Sequence, residues 1–200
     1  MTDVAAVVLA AGSGSRLASA VPKPLVEVGG RPLVAYAIAA AMESGLRPCV
    51  LVVGHASMTV ADIAPKGVTV VRARGHRRGI SNSLRAALEF LEGYVQIGAA
   101  CVGLGDQPLV EAPAYRRLAE AYTDGATLAV ATYDGVRANP VLIARSLWAE
   151  ARKLKGDKGA RTLMEIHGVL EVPCDGCGNP QDIDTEEDIE AVEAIMKSQR

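Results

Sequence analysis

Aromatic side chains are scarce. One Trp, one Phe and five Tyr make up 4% of the 200 residues, too few for the stacking platforms on which single-stranded nucleic acids are held. Charge of either sign is also not in excess: 21 Lys+Arg stand against 23 Asp+Glu, a net charge of -2. No global field draws this chain to nucleic acid or to an anionic membrane, so an anionic partner must be met locally. Apolar runs such as Val4 to Ala11 are cut by glycine or charge well short of the ~20 residues of a membrane span. Met1-Thr2-Asp3 carries no basic leader and runs straight into a strand pattern, which points to a cytoplasmic chain. Cysteine is sparse as well. Cys49, Cys101, Cys174 and Cys177 are too scattered for a disulfide scaffold, and the first two lie in apolar runs where buried free thiols are common. Cys174-Asp175-Gly176-Cys177 has the spacing of half a zinc site without a second pair or a nearby histidine, so it is read as a loop without metal. His55, His76 and His167 show no triad spacing and none is taken as a base.

What is present is enough to fold. Half the residues are hydrophobic and the mean hydropathy is +0.19, a balance that supports a packed core. A chain of 20.8 kDa holds one such core, and residues 1–200 are expected to form a single domain. Short β-branched runs alternate with longer helical patterns, the rhythm of parallel strands joined by crossover helices. Strands are predicted at Val4 to Leu9, Val50 to Val53, Val68 to Val71, Cys101 to Leu104, Leu128 to Ala131 and Val141 to Ile143. Helices are legible from their ends. Pro32 is placed in a first turn and Gly45 at a terminus, following the usual asymmetry of those residues. Ile80, Leu84, Ala87, Leu88 and Leu91 recur at helical spacing behind Ser81 or Asn82 as the cap. Another helix begins near Pro113, and Thr185 caps the last in the pattern Thr185-Glu186-Glu187-Asp188.

The strongest chemical signal is the glycine-rich turn after the first strand, Leu9-Ala10-Ala11-Gly12-Ser13-Gly14-Ser15-Arg16. Such a turn exposes backbone N–H groups to phosphate oxygens, and Arg16 adds a charged fork. It is not the dinucleotide fingerprint, since Leu17 stands where a third glycine is required, nor a Walker motif, which needs Gly-Lys-Ser/Thr. Pro22-Lys23-Pro24-Leu25 sets a lysine in a rigid, extended frame from which its ammonium reaches the same phosphates. Further on, Leu104-Gly105-Asp106-Gln107-Pro108 ends an apolar strand in a carboxylate. This places Asp106 at the carboxyl edge of the sheet, where open α/β sheets bind ligands, as the best metal ligand in the chain. Arg72-Ala73-Arg74-Gly75-His76-Arg77-Arg78 has the look of solvated surface. It nonetheless leads into Gly79-Ile80-Ser81-Asn82-Ser83, whose hydroxyls, amide and helix N-terminus suit a nucleotide base or an anionic acceptor.

Leu9-Ala10-Ala11-Gly12, Arg16 and Lys23-Pro24-Leu25 resemble the opening of the nucleotidyltransferases, enzymes that join an NTP to a phosphorylated acceptor and release pyrophosphate. Gly79 to Leu84, Leu104 to Leu109, Asn139-Pro140-Val141-Leu142, Asp157-Lys158-Gly159-Ala160-Arg161 and Asp182-Ile183-Asp184-Thr185 resemble, in order, segments of the MobA-like NTP transferases. Their nearest likeness is to the molybdenum-cofactor cytidylyltransferases. The Arg16 to Lys23 spacing and Pro-Lys-Pro-Leu are closer to the sugar-phosphate and methylerythritol-phosphate branches. The resemblance implies a Rossmann-like three-layer α/β domain with a mostly parallel twisted sheet, of the nucleotide-diphospho-sugar transferase type. It implies Mg²⁺ held by Asp106 and Asp184, with Asp182 as the weaker second acid. Catalysis falls to Arg16, Lys23 and Asp106. The nucleotide falls to Leu9 through Arg16, Lys23, Gly79, Ser81, Asn82, Ser83 and Asp106. Ala10-Ala11-Gly12 favours CTP over GTP, because the guanylyl enzymes of the group tend to carry a further glycine. The implied acceptor is molybdopterin bearing molybdenum, with a molybdoenzyme or maturation factor to receive the product. A sugar- or polyol-phosphate acceptor, or a nucleotide-binding module without turnover, stay open as alternatives.

Overall fold

The first apolar run forms the strand its composition calls for. β1 spans Val4–Ala10 and all seven of its residues are buried, as suits a strand covered on both faces. It sits mid-sheet in the computed structural model, which describes residues 3–12, 21–54, 57–73, 79–156 and 159–198. A 3-10 turn at Lys23–Leu25 leads to a small hairpin, β2 (Glu27–Val28) with β3 (Arg31–Pro32), and then to α1 (Leu33–Glu43). β4 (Cys49–Val53), α2 (Ser57–Asp62), β5 (Val68–Arg72), α3 (Ile80–Leu91) and β6 (Ala99–Leu104) alternate after it. Beyond α4 (Ala112–Thr123) come the hairpin of β7 (Leu128–Tyr133) and β8 (Val136–Ala144), then α5 (Trp148–Ala151) and α6 (Arg161–His167). The edge strand β9 (Leu170–Pro173) and α7 (Glu186–Ser198) complete the order.

Seven strands join in the order β5-β4-β1-β6-β8-β7-β9. All neighbours are parallel except at β8, which runs against both β6 and β7. The alternation of side chains along β1 sorts the core into two layers. Val4, Ala6, Val8 and Ala10 pack with α1, α2 and α4, whereas Ala5, Val7 and Leu9 face α3, α5 and α6. The result is the expected three-layer α/β domain. The lone Trp148 is buried in the second layer with its Nε1 donating to Ile143 O at 3.0 Å, so the indole keeps its hydrogen bond on leaving water. A smaller cluster of Val28, Leu33, Leu109, Ile183 and Val192 fastens α7 to the β2–β3 hairpin. Among the described residues no helix is long and apolar enough to cross a membrane.

Several local expectations need correction. β8 begins at Val136 and passes through Asn139-Pro140, which drop out of register between the pairs Ala131↔Ala138 and Val130↔Val141. A proline has no N–H for the ladder, so within a sheet it belongs at such an irregularity. β9 and the β2–β3 hairpin carry no sequence signal of their own, being two to four residues long and partly polar. Pro32 pairs across the hairpin with Glu27 and stands just ahead of α1 rather than in its first turn. The cap of α3 is Gly79, at φ +105°, and neither Ser81 nor Asn82 fills that role. Thr185 does cap α7: its Oγ1 accepts from Asp188 N at 3.2 Å, and Asp188 Oδ2 accepts from Thr185 N at 2.8 Å. All four cysteines are free and buried, Cys174 and Cys177 included. Burial first, and the neighbouring Cys177 thiol second, push Cys174 up to about 11, so it stays an inert thiol.

Candidate active site

β1 and β6 end side by side at one edge of the sheet. Gly105 N donates to Leu9 O at 2.9 Å, and a Cβ at position 105 would lie 2.8 Å from Ala10 Cβ. Only glycine lets the two strand ends touch there. Asp106 follows at once, on the carboxyl edge, as the sequence pattern requires.

Lys23 and Asp184 converge on it. Pro22 is extended, but a 3-10 turn starts at Lys23 with Pro24 as its second residue, and Leu25 N donates to Pro22 O at 2.8 Å. The frame around Lys23 is therefore a tight turn instead of an extended segment, since proline's fixed φ suits a first-turn position. The turn buries Lys23 to 8% exposure. Its Nζ donates to Asp106 Oδ2 at 2.6 Å and to Asp184 Oδ1 at 2.7 Å. The ammonium expected at the triphosphate is thus held by the two acids expected at the metal. Burial pulls the Lys23 pKa down as the largest single influence, but Asp106 and then Asp184 together outweigh it and the net shift is upward. Asp182 adds a third carboxylate. It is held above its ordinary value by desolvation and next by the charge of Asp106, although more than a third of the residue is open to solvent.

The approach of Asp184 is enforced by backbone lacing between two loops. Glu111 N donates to Cys177 O at 3.1 Å, Asn179 N to Leu109 O at 3.0 Å and Ile183 N to Asp106 O at 3.0 Å. Gln107, itself buried, adds Nε2 to Pro180 O at 2.8 Å. Gly178 makes the lacing possible: at φ +95° it passes so close to Leu109 that a Cβ would overlap the carbonyl oxygen. Ile183, buried in the cluster under α7, anchors the acids on either side of it.

The other predicted residues are placed as follows. Leu9, Ala10 and Ala11 are buried and Gly12 is exposed just beyond β1, while Ser13, Gly14, Ser15 and Arg16 lie outside the described residues. Arg74 to Arg78, Asp157 and Lys158 also lie outside them. Gly79 and Asn82 are partly exposed, the latter accepting from Arg85 Nη1 at 3.2 Å. Ser81 and Ser83 are buried near the start of α3.

Next to Leu104 a cleft of about 470 Å³ opens between the β7–β8 hairpin, α3 and α6. Ile80, Leu104 and Met164 give it an apolar lining, and Arg137, Asn139 and Arg161 give it polar groups. Arg137 is paired with Glu171 at 2.7 Å. Arg161 is exposed and stands at the start of α6, in the turn where Gly159 approaches Ile80. Composition alone assigned these two arginines no role; the signal was the position of Arg161 inside Asp157 to Arg161.

The acids suit a hard divalent cation. Their oxygens already share one positive centre, and among the described residues Asp106, Asp182 and Asp184 all act on the Lys23 ammonium or on one another. Mg²⁺ and Mn²⁺ take oxygen ligands, and Mg²⁺ typically uses one or two protein carboxylates with the rest supplied by water and phosphate. No group of three or more His, Cys, Asp or Glu side chains placed to hold a metal ion forms among the described residues.

Comparison with known proteins shows the family and the fold. The sequence profile of the MobA-like NTP transferase domain matches residues 6–172. Among solved structures, the homologue of Mycobacterium tuberculosis Rv0371c from Mycobacterium sp. strain JC1 superposes with a TM-score of 0.86 at 30% identity. The match covers 100% of this chain and 99% of that one. Rv0371c from M. tuberculosis H37Rv, solved as a complex with manganese, gives 0.81 at 28% identity over 96% and 98% of the two chains. The bifunctional protein GlmU of Streptomyces avermitilis is 42% identical over 133 residues, which are 64% of this chain and 27% of GlmU. The chain thus spans about a quarter of the length of the GlmU proteins it matches.

Proposed function

Because the chain belongs to the MobA-like NTP transferase family, whose members are nucleotidyltransferases, we propose that it moves a nucleotidyl group from an NTP to a phosphorylated acceptor and releases pyrophosphate. The convergence of Asp106 and Asp184 on one cation position at the carboxyl edge of the sheet carries this reading.

The acceptor phosphate attacks the α-phosphorus and pyrophosphate leaves, so no side chain forms a covalent bond. The protein's task is to position and neutralise charge. Asp106 and Asp184 would hold the divalent ion, Mg²⁺ by preference, which when bound draws charge off the phosphoryl oxygens. The Gly12 to Ser15 backbone, Arg16 and Lys23 receive the triphosphate, and Gly79 with Asn82 borders the base. The cleft beside Leu104 takes the acceptor, its anionic end toward Arg161 and Arg137.

The finer reading is a CTP-dependent enzyme acting on molybdopterin or its molybdenum form. Its supports are the lettering of Ala10-Ala11-Gly12 and the apolar wall of Ile80, Leu104 and Met164, which suits a flat heterocycle better than a hydroxyl-rich ring. A sugar phosphate is the second reading, favoured by the likeness to GlmU. Incubation with each NTP, Mg²⁺ and either molybdenum cofactor or a panel of sugar phosphates, followed by mass analysis, separates the two. A cytidylyl-pterin product is expected. Pyrophosphate release only with a sugar phosphate would overturn the finer reading, and none with any acceptor would overturn the reaction.

A further inference from the structure

The seat between Asp106 and Asp184 is already taken. Lys23 Nζ lies 2.6 Å from one carboxylate and 2.7 Å from the other, which are the distances of charge-assisted hydrogen bonds to both. A divalent ion bound by the same two oxygens would occupy nearly the same point. Two cations of charge +2 and +1 a few ångströms apart repel about twice as strongly as a pair of unit charges, and a partly buried site screens that repulsion less than water does. One must leave. Only Lys23 can move without leaving the protein, since a four-carbon stem links its ammonium to the backbone.

We propose that Lys23 is the resident counter-ion of the metal-free site and that a divalent metal ion takes its place, driving the ammonium out toward the nucleotide phosphates. In the metal-free protein the lysine holds two acids together that would otherwise repel across a half-buried gap. On exchange it becomes the phosphate-binding cation that its place in the sequence, seven residues beyond Arg16, suggests. One event therefore both fills the metal site and arms the triphosphate site. The phosphate-binding form of Lys23 is made by metal, not by folding alone. This builds on the metal-dependent transfer proposed above and adds that metal and lysine compete.

Two measurements on the full chain without nucleotide test the exchange. The first is a Mn²⁺ titration read from the paramagnetic resonance of free ion, on wild type and Lys23→Met. Removing a competing cation of equal reach should tighten Mn²⁺ binding about tenfold or more. Unchanged or weaker binding in a folded variant would overturn the exchange. The second uses wild type alone and so survives a variant that fails to fold. Reductive methylation of lysines is followed by peptide mass analysis, with the exposed Lys66, Lys153 and Lys197 as internal references. Lys23 should be protected without metal, labelled several-fold faster with Mn²⁺, and protected again when a non-hydrolysable NTP is added. Equal labelling with and without Mn²⁺ means that metal joins at the outer oxygens while the lysine stays, and the exchange is refuted. Should pyrophosphate release persist despite that result, the reaction stands and the exchange alone falls. Should Lys23 become labelled on adding Mn²⁺ while no acceptor supports turnover, the reverse holds.

Discussion

Lys23 and Asp184 are 161 positions apart in the chain, yet 2.7 Å separates the Nζ of one from the Oδ1 of the other. Neither element that carries them belongs to the main sheet. A 3-10 turn brings Lys23 and the leader of α7 brings Asp184 to Asp106 on the sheet edge, with the Lys23 ammonium bridging the two acids. The site is a joint between the sheet and two attachments fastened to each other by Val28, Leu33, Ile183 and Val192.

Loss of either acid should cripple turnover while leaving the fold intact. Asp106→Asn is expected to lower kcat by roughly 10² or more, the order seen when one preorganised electrostatic contact to a transition state is removed. Asp184→Asn acts in the same direction. On the proposal that both serve one ion, the double variant should be less impaired than the product of the single losses. Steady-state rates at limiting Mg²⁺ decide this, and strictly multiplicative effects would separate Asp184 from the metal.

Lys23→Met should also destabilise the metal-free protein. It removes the Lys23 ammonium from two acids whose side chains are 31% and 39% exposed. The expected cost is on the order of 1–2 kcal/mol, well under that of a fully buried pair because water reaches both carboxylates. The Lys23 pKa is raised above 10.5 in the folded state. Its contribution is therefore complete below 10.5 and lost as pH climbs through the higher folded value. Denaturant midpoints of the two proteins should differ at pH 8 and draw together above pH ~10.5. A constant gap across that range would show that packing, not charge, is what the substitution removes.

Arg161→Ala is expected to raise KM for the acceptor about tenfold or more, the scale of one hydrogen bond to a charged group, with KM for NTP unchanged. The arginine lines the cleft and stands apart from the Lys23 cluster. If both constants rise together, the cleft does not discriminate between the substrates.

Ile183→Ala should cost about 2–4 kcal/mol, as is usual for a truncated buried aliphatic side chain, and should weaken Mn²⁺ binding as well. Leu163→Ala is the control. Leu163 is just as buried but belongs to the opposite layer, so it should lower stability without touching metal affinity. Chemical denaturation and metal titration on the pair give the answer; equal metal affinity in both would mean that the α7 leader does not position Asp184.

Much of the scaffold is legible because its signals are local. Seven consecutive apolar residues announce β1, Thr185 to Asp188 writes out a capping box, and a strand ending in glycine and aspartate marks the sheet edge. Gly105 even carries the reason for its identity, the contact with Ala10. What escapes is either non-local or energetically slight. β9 is a four-residue edge strand with two exposed residues among its first three, and nothing in Leu170 to Pro173 outweighs a loop reading. That Lys23 would bond to acids in place of phosphates depends on two loops being laced together through Gly178 and Cys177, a pairing that no window of sequence displays. The burial of Ser81 was within reach. It lies three residues before Leu84 and seven before Leu88, on the same apolar stripe of α3, although a hydroxyl near a helix start equally suits a cap.

The reversed strand β8 has a consequence for how such a site can diverge. Because β8 runs against β6, the beginning of one and the end of the other meet at the same margin, bringing Asn139 beside Leu104. The end of β6 and the wall that β8 gives the cleft are therefore mounted on adjacent strands, hydrogen-bonded from Ala99↔Ala144 to Val102↔Val141, and the spacing between their backbones is the ~4.8 Å of any β ladder. That interval acts as a ruler which loop insertions cannot stretch. On the acceptor reading proposed above, acceptors of different bulk would be met by changing the side chains that line the cleft, Met164 and Arg161 among them, while the two strands keep their interval.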